Sequence, residues 1–200
     1  KRLWVGTNDS GVVVLEDGRV IAALNEEGGL PSNSVRSITC DSKGNYYIGT
    51  TGALAVVAMS ADTIKLVSTI NETSFVNSLT VNAEDIVAAT TGSGACYLLK
   101  SGQIASQIPS PIESEYFTCT AFSTDGRLCA AVGANIVLYS LEGATATELQ
   151  RVECTGLNGI MSLYVSPRNR LLICGYNGTA YLDAQTRYHP IDTGTFTSNI

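Results

Sequence analysis

One pattern of residues recurs four times along this 200-residue chain and limits its fold more than any other feature. Apolar segments begin at Val35, Val76, Phe117 and Ile160, so successive segments start 41, 41 and 43 residues apart. A polar, turn-favouring residue follows each start by six residues, and a Gly, Asp or Asn follows it by nine. The first set is Asp41, Asn82, Ser123 and Ser166, and the second set is Gly44, Asp85, Gly126 and Asn169. Two markers that keep the same spacing predict a repeated strand–turn–strand hairpin.

Two further strand-like segments follow each hairpin. In the first complete unit they are ALAVVAM and the more polar TIKLVST, and no stretch keeps a helical period. Four short strands recurring about every 40–45 residues are typical of a β-propeller blade. Runs such as GVVVL and LLICG do not alternate with polar residues, which predicts strands buried on both faces between neighbouring blades.

The spacing predicts an all-β fold, a β-propeller segment of roughly four and two-thirds four-stranded blades. The complete units span about 30–70, 71–112, 113–155 and 156–196, a partial unit spans 1–29, and another begins at 197–200. We expect either an arc of a larger wheel or a fifth blade that combines both ends. The chain opens on Lys1 and a strand-like segment, so we expect it to be part of a longer protein.

The segment from 30 to 54 carries a long, ordered motif. Its residues are Leu30, Pro31, Asn33, Val35, Ile38, Asp41, Gly44, Asn45, Ile48, Gly49, Thr50 and Gly52. This motif closely resembles the two-component regulator propeller repeat. The segment from Leu3 to Thr7 resembles the second strand of the same repeat and includes its usual tryptophan, Trp4, where the better-matched unit has Tyr47.

The resemblance implies a location and a role. Such repeats form periplasmic or extracellular sensor domains that precede a transmembrane helix and a histidine kinase or diguanylate cyclase module, usually as seven-bladed wheels. We therefore expect a non-catalytic, ligand-sensing or interaction propeller from the extracytoplasmic sensor region of a bacterial membrane signalling protein. Two alternatives stay open: a fragment of a carbohydrate-active hydrolase or lyase, and a peptide-binding scaffold.

Composition excludes several partners. The formal net charge is -6, and no basic cluster is present, so we expect no nucleic-acid partner. No apolar stretch reaches the ~18 residues that suggest a membrane span, so a membrane would be reached only through segments outside this chain. We expect the ligand to be carbohydrate or another small extracellular molecule, and a second copy or a neighbouring propeller to be a further partner.

The sequence shows little catalytic chemistry. The single histidine, His189, has no companion ligands, so we expect no metal and no cofactor, and a surface or hydrogen-bonded role for that ring. None of the six cysteines forms a CxxC pair, and most lie in apolar runs that predict buried thiols. Spacing leaves one disulfide, between Cys119 and Cys129, open.

A ligand site is expected where loops converge. In a propeller, the loops from strand four to strand one and from strand two to strand three gather on one face. The candidate ligand-binding residues there are Asn33, Ser34, Arg36, Tyr116, Asn158, Tyr176 and Asn177, with Glu115 beside them. Arg36 lies beside an inner strand and needs a counter-ion, water, ligand or neighbouring blade. The two tyrosines could stack on a sugar ring or a partner, or pack at the blade ends.

Overall fold

The computed structural model describes residues 1–191, which form 19 strands in five antiparallel sheets. Each sheet is one blade, and its strands pair in chain order. Blade 1 has three strands: β1 (Arg2–Gly6), β2 (Val12–Glu16) and β3 (Arg19–Leu24). The prediction of an all-β propeller segment of about four and two-thirds blades is confirmed. The strand expected from 197 onwards lies outside the described residues.

The other four blades have four strands each. Blade 2 contains β4 (Val35–Cys40), β5 (Asn45–Thr50), β6 (Leu54–Ser60) and β7 (Thr63–Ile70). Blade 3 contains β8 (Val76–Val81), β9 (Ile86–Thr91), β10 (Cys96–Lys100) and β11 (Gln103–Ile108). Blade 4 contains β12 (Phe117–Phe122), β13 (Leu128–Val132), β14 (Asn135–Glu142) and β15 (Thr145–Glu153). Blade 5 contains β16 (Ile160–Val165), β17 (Leu171–Gly175), β18 (Gly178–Leu182) and β19 (Tyr188–Ile191).

The blades are arranged radially. The first strands β4, β8, β12 and β16 contact one another in succession, as the innermost strands of spokes do around an axle. Within residues 1–191 the five blades follow one another as an open arc, and blade 1 has no first strand. In the same part of the chain, no helix is long and apolar enough to cross a membrane.

Middle strands divide their side chains between two interfaces. On β6, Val57 packs toward blade 1 while its neighbour Val56 packs toward blade 3, and both are at most 2% exposed. The same alternation builds four separate apolar cores, one between each pair of neighbouring blades. Burial on both faces explains why these strands read as unbroken apolar runs.

Turns between first and second strands adopt the predicted backbone. The second marker residues all have positive φ angles: Gly44 83°, Asp85 60°, Gly126 84° and Asn169 55°. The first marker residue caps its own turn with a side-chain oxygen, as when Asp41 Oδ1 accepts hydrogen bonds from the backbone N–H groups of Lys43 and Asn45 at 3.0 and 2.9 Å. The sequence spacing is therefore set by turn chemistry.

Hydrogen bonds also join successive blades. Asp85 of blade 3 accepts from the backbone N–H and the hydroxyl of Ser42 of blade 2, both at 2.7 Å. Nearer the axis, Ser37 Oγ of β4 accepts from the backbone N–H of Leu79 on β8 at 3.0 Å. Neighbouring blades are thus held in register by polar contacts as well as by their shared core.

The cysteines are all free thiols. Cys119 lies opposite Ala131 in the β12–β13 ladder, and Cys129 lies opposite Ala121, so the open disulfide between these two cysteines does not form. Cys40 and Cys174 are exposed, which corrects the expectation of burial for those two positions. The buried thiols are Cys96, Cys119, Cys129 and Cys154.

Candidate ligand-binding face

Two sets of loops meet at one end of the blades, as the sequence predicted. The backbone N–H of Phe75, in the loop before β8, donates to Thr51 O at 3.2 Å, and Gly92 N–H donates to Phe75 O at 2.8 Å. In blade 5, Tyr176 N–H donates to Asn158 O at 2.9 Å. These bonds tie the loops that lead into first strands to the turns between second and third strands. We call this end the loop face; it comprises 7–11, 25–34, 51–53, 71–75, 92–95, 109–116, 133–134, 154–159 and 176–177.

Three aromatic side chains are exposed on the loop face. The exposed fractions are 51% for Phe75, 56% for Tyr116 and 77% for Tyr176. The Tyr116 ring lies against Gly94, where a Cβ atom would come within 2.8 Å of the ring Cδ1. Tyr176 lies in the same way over Gly159, so both glycines make room for a ring on the backbone. Each tyrosine is therefore supported on one side and open to solvent on the other.

Tyr116 stands between two clefts. A cleft of about 350 Å³ separates blades 4 and 5, and its lining is Glu115, Tyr116, Thr118, Gly133, Ala134, Asn158 and Gly159. A second cleft, of about 410 Å³, lies on the blade 3 side, where Glu113, Glu115 and Tyr116 contribute to its lining. The structure thus brings together two of the predicted residues, Tyr116 and Asn158. Tyr176 borders the same cleft because it covers Gly159.

Glu115 holds a defined place in the cleft. Its backbone N–H donates to Ile112 O at 3.2 Å, and Ser114 before it has a φ angle of 62°. The carboxylate lies beside Gly133, close enough that a Cβ atom on that glycine would be 2.8 Å from Glu115 Cδ. A larger residue at 133 would displace the carboxylate from the cleft.

Asn158 and Asn177 have different roles. Both polar atoms of the Asn177 side chain are hydrogen-bonded, since Oδ1 accepts from Asn158 N–H and Nδ2 donates to Gly156 O, both at 2.7 Å. This side chain orders the loop on which Tyr176 lies. The Asn158 side-chain amide makes no hydrogen bond to another described residue, so it is available to a ligand.

Asn33 and Ser34 lie elsewhere, at the boundary between blades 1 and 2. Asn33 Oδ1 accepts from Glu26 N–H at 2.9 Å, and Asn33 N–H donates to Glu26 Oε1 at 2.8 Å. Ser34 Oγ donates to Asn8 Oδ1 at 3.2 Å. Both predicted residues are engaged in loop structure and are not brought to the Tyr116 cleft.

Arg36 lies on β4 rather than in a loop, and its guanidinium carbon is 5.8 Å from the centroid of the Phe75 ring. The cation is therefore met by an aromatic face from the next blade. Phe75 was missed by the sequence reasoning. The signal was its repeat position, because it directly precedes the start of a first strand, as Tyr116 does.

The first strands of blades 2 to 5 line a central cavity. This cavity of about 390 Å³ follows the first strands and is lined by hydroxyl, amide and apolar side chains, among them Ser78, Thr120 and Tyr164. Its lining contains no carboxylate among the described residues, whereas glycoside hydrolysis uses a pair. Across residues 1–191, no three potential metal-ligating side chains cluster together.

His189 is satisfied within blade 5. Its Nε2 lies 3.0 Å from Asp183 Oδ2, and its ring stacks on Tyr181 at a centroid distance of 4.7 Å. This hydrogen bond, with backbone N–H donors, lowers the pKa of the Asp183 carboxyl. The pair stabilises a turn far along the chain from the Tyr116 cleft.

Comparison with known families matches residues 29–52 to the family described as "two component regulator propeller". This segment is therefore similar to a two component regulator propeller repeat. It covers β4, β5 and the turns around them, which include the cap at Asp41. No curated protein matches the chain.

Solved structures share the propeller fold. A B. thetaiotaomicron protein described as the extracellular domain of the hybrid two component system BT3049 aligns over 92% of this chain with a TM-score of 0.74 and 19% identity. Virginiamycin B lyase from Staphylococcus aureus aligns over 96% with a TM-score of 0.76 and 12% identity, covering 67% of the lyase. The WD40 propeller domain of Doa1 aligns over 86% with a TM-score of 0.67 and 15% identity, covering 56% of that chain.

The chain spans only about a quarter of the BT3049 extracellular domain, 26% of its length. The three similar structures belong to a signalling protein, a lyase and a WD40 protein, so the shared fold does not decide the function.

Proposed function

We propose that this chain is a non-catalytic, ligand-sensing part of an extracytoplasmic propeller in a two-component-type signalling protein. The ligand occupies the cleft between blades 4 and 5, with Tyr116 as its main contact. The observation that carries the proposal is an exposed ring, Tyr116, and a free amide, Asn158, in one cleft, with the exposed ring of Tyr176 packed over Gly159 of its lining.

These groups suit a polyhydroxylated ligand such as an oligosaccharide. An exposed ring that is rigidly supported offers an apolar face at low entropic cost, and the amide of Asn158 offers both donors and acceptors. Binding sites of this kind combine aromatic walls with a few polar groups that set orientation. A ligand wedged between two blades would favour one packing of that interface and shift the population of signalling states.

The four buried thiols are compatible with an extracytoplasmic location, whereas Cys40 and Cys174 are exposed. Burial raises the pKa of Cys96 to about 12, and it raises the pKa of Cys129 to about 12. Burial likewise raises the pKa of Cys119 and of Cys154 to about 11. Because the thiolate is the reactive form, these four side chains resist oxidation.

A glycan array probed with the purified chain tests the proposal, followed by titration calorimetry on any glycan retained. We expect Tyr116→Ala to weaken binding at least about tenfold, a loss of roughly 1.4 kcal/mol. Tyr116→Phe keeps the ring and should stay within about threefold of the wild type. Leu149→Ala, at an exposed residue of β15 away from the loop face, serves as the control.

Two results would count against this function. If the array retains no glycan, the proposed carbohydrate ligand is wrong. If Tyr116→Ala binds a glycan as tightly as the wild type does, the proposed site at Tyr116 is wrong. Circular dichroism of each variant separates a local loss from unfolding.

A further inference from the structure

We infer that the group bound at Tyr116 is cationic, a protonated amine held between the Glu115 carboxylate and the tyrosine ring. The inference rests on the proposed function and narrows the ligand to an amine-bearing saccharide.

The charged residues that line the two clefts are all acidic. Glu113 and Glu115 are the only charged residues in either lining, and no Lys, Arg or His contributes to them within the described chain. Neither carboxylate forms an ion pair with another described residue. The negative potential at Tyr116 is therefore not neutralised by the protein, and it disfavours acidic ligands.

Phe75 and Tyr116 occupy equivalent repeat positions, but only the Phe75 ring has an arginine at the matching position of the preceding blade. Phe75 and Tyr116 each directly precede a first strand, and each is an exposed ring on the loop face. The ring of Phe75 faces the Arg36 guanidinium of the preceding blade at 5.8 Å. The residue at the Arg36 position of the next repeat, one blade before Tyr116, is the neutral Asn77.

Among residues 1–191, a cation faces the Phe75 ring and none faces the Tyr116 ring. At the second ring the chain supplies a carboxylate instead, fixed beside Gly133. An ammonium group attracted by both the carboxylate and the ring face would replace the absent arginine. A neutral hydroxyl at the same place would gain neither a full Coulomb attraction nor a cation–π contact.

Chitin and chitosan oligosaccharides of equal length are suitable probes, because they differ only by N-acetylation of the amine. Binding is measured by calorimetry at about pH 5.5, where the amines of chitosan are protonated. We expect chitosan oligomers to bind at least about tenfold more tightly than chitin oligomers, and oligogalacturonate to bind more weakly than both.

Three variants test which residues cause the preference for chitosan over chitin. Glu115→Gln keeps the shape of the side chain and should reduce the chitosan preference to within about threefold. Asn77→Arg should place a guanidinium near the Tyr116 ring and weaken chitosan binding more than chitin binding. Glu84→Gln, at an exposed turn residue of blade 3, should change neither ratio.

The outcomes separate the two proposals. Equal binding of chitin and chitosan, or a preference that survives Glu115→Gln, would overturn the inference and leave the glycan-binding function standing. Tighter binding of oligogalacturonate would overturn it as well. Binding of none of the three probes, together with an empty glycan array, would overturn both.

Discussion

The two ends of the blades are built differently. At the end opposite the loop face lie the turns between first and second strands, which we call the turn face: 41–44, 82–85, 123–126 and 166–169. There a marker side chain caps each turn, and Asp85 accepts two hydrogen bonds from the preceding blade. On the loop face, by contrast, Tyr116 and Tyr176 have rings more than half exposed, and Asn158 keeps a free amide.

The turn face therefore holds residues that stabilise the blades, whereas the loop face holds the residues of the candidate site. Positions that keep the repeat, such as Asp41 and Asp85, close turns and join blades. Loop residues outside the two markers, such as Tyr116, Glu115 and Asn158, form the candidate site. Substitutions on the turn face should therefore reduce stability, whereas substitutions on the loop face should change binding.

The largest effect is expected from Asp41→Ala. The carboxylate is 6% exposed and accepts from the backbone N–H groups of Lys43 and Asn45, from Asn45 Nδ2 and from Tyr47 OH. Losing these acceptors should lower the free energy of unfolding by about 3 kcal/mol. Urea denaturation measures the loss, with Asp9→Ala on the loop face as the control. A loss below about 1 kcal/mol for Asp41→Ala would contradict the stabilising role of the turn face.

An acid-dependent effect is expected from Asp85. Hydrogen bonds from the backbone N–H and hydroxyl of Ser42 lower its pKa. Because the folded-state pKa lies below the ordinary value of about 3.9, the stabilisation is complete above that value and is lost as the pH falls through the lowered pKa. The thermal midpoint should therefore fall less steeply between about pH 4 and 2 in Asp85→Asn than in wild type.

Ser42→Ala is the matched variant for that experiment. It removes the hydroxyl donor and keeps the backbone donor, so its acid dependence should fall between those of wild type and Asp85→Asn. Identical slopes for all three proteins would show that the inter-blade contact does not contribute to acid stability.

The smallest effect on stability is expected from Tyr176→Ala. The ring is 77% exposed, so its removal should change the free energy of unfolding by less than about 0.5 kcal/mol.

Tyr47→Phe removes a single oxygen, yet that buried hydroxyl accepts from Gly102 N–H at 3.1 Å and donates to Asp41. It should cost about 1–2 kcal/mol. Tyr47 supports the turn face through its hydrogen bond to Asp41. A larger loss of stability for Tyr176→Ala than for Tyr47→Phe in urea denaturation would contradict the distinction between the two faces.

The repeat could be predicted because turn chemistry is local. A left-handed residue at the end of a four-residue turn restricts the amino acid at that position, so Gly44 and Asn169 are visible in the sequence. Unbroken apolar runs likewise reveal strands buried on both faces.

The site could be predicted only in part. Loop convergence placed Tyr116 and Asn158 on one face, and the structure brings them to one cleft. Phe75 was missed because an apolar residue beside Val76 reads as part of the core strand, and hydrophobicity alone does not show which side chain is exposed. The hydrogen bond between Asn33 and Glu26 was also hidden, since the loop between them folds back on itself around a 3₁₀ turn at Glu26–Gly28.

The four separate cores have a consequence for how strain spreads between blades. Val56 and Val57 belong to different interfaces, and in residues 1–191 each apolar core joins one blade to the next blade along the chain. Such an array behaves as a one-dimensional series with nearest-neighbour coupling. Within residues 1–191, strain introduced between blades 4 and 5 would reach blade 1 by way of blades 3 and 2.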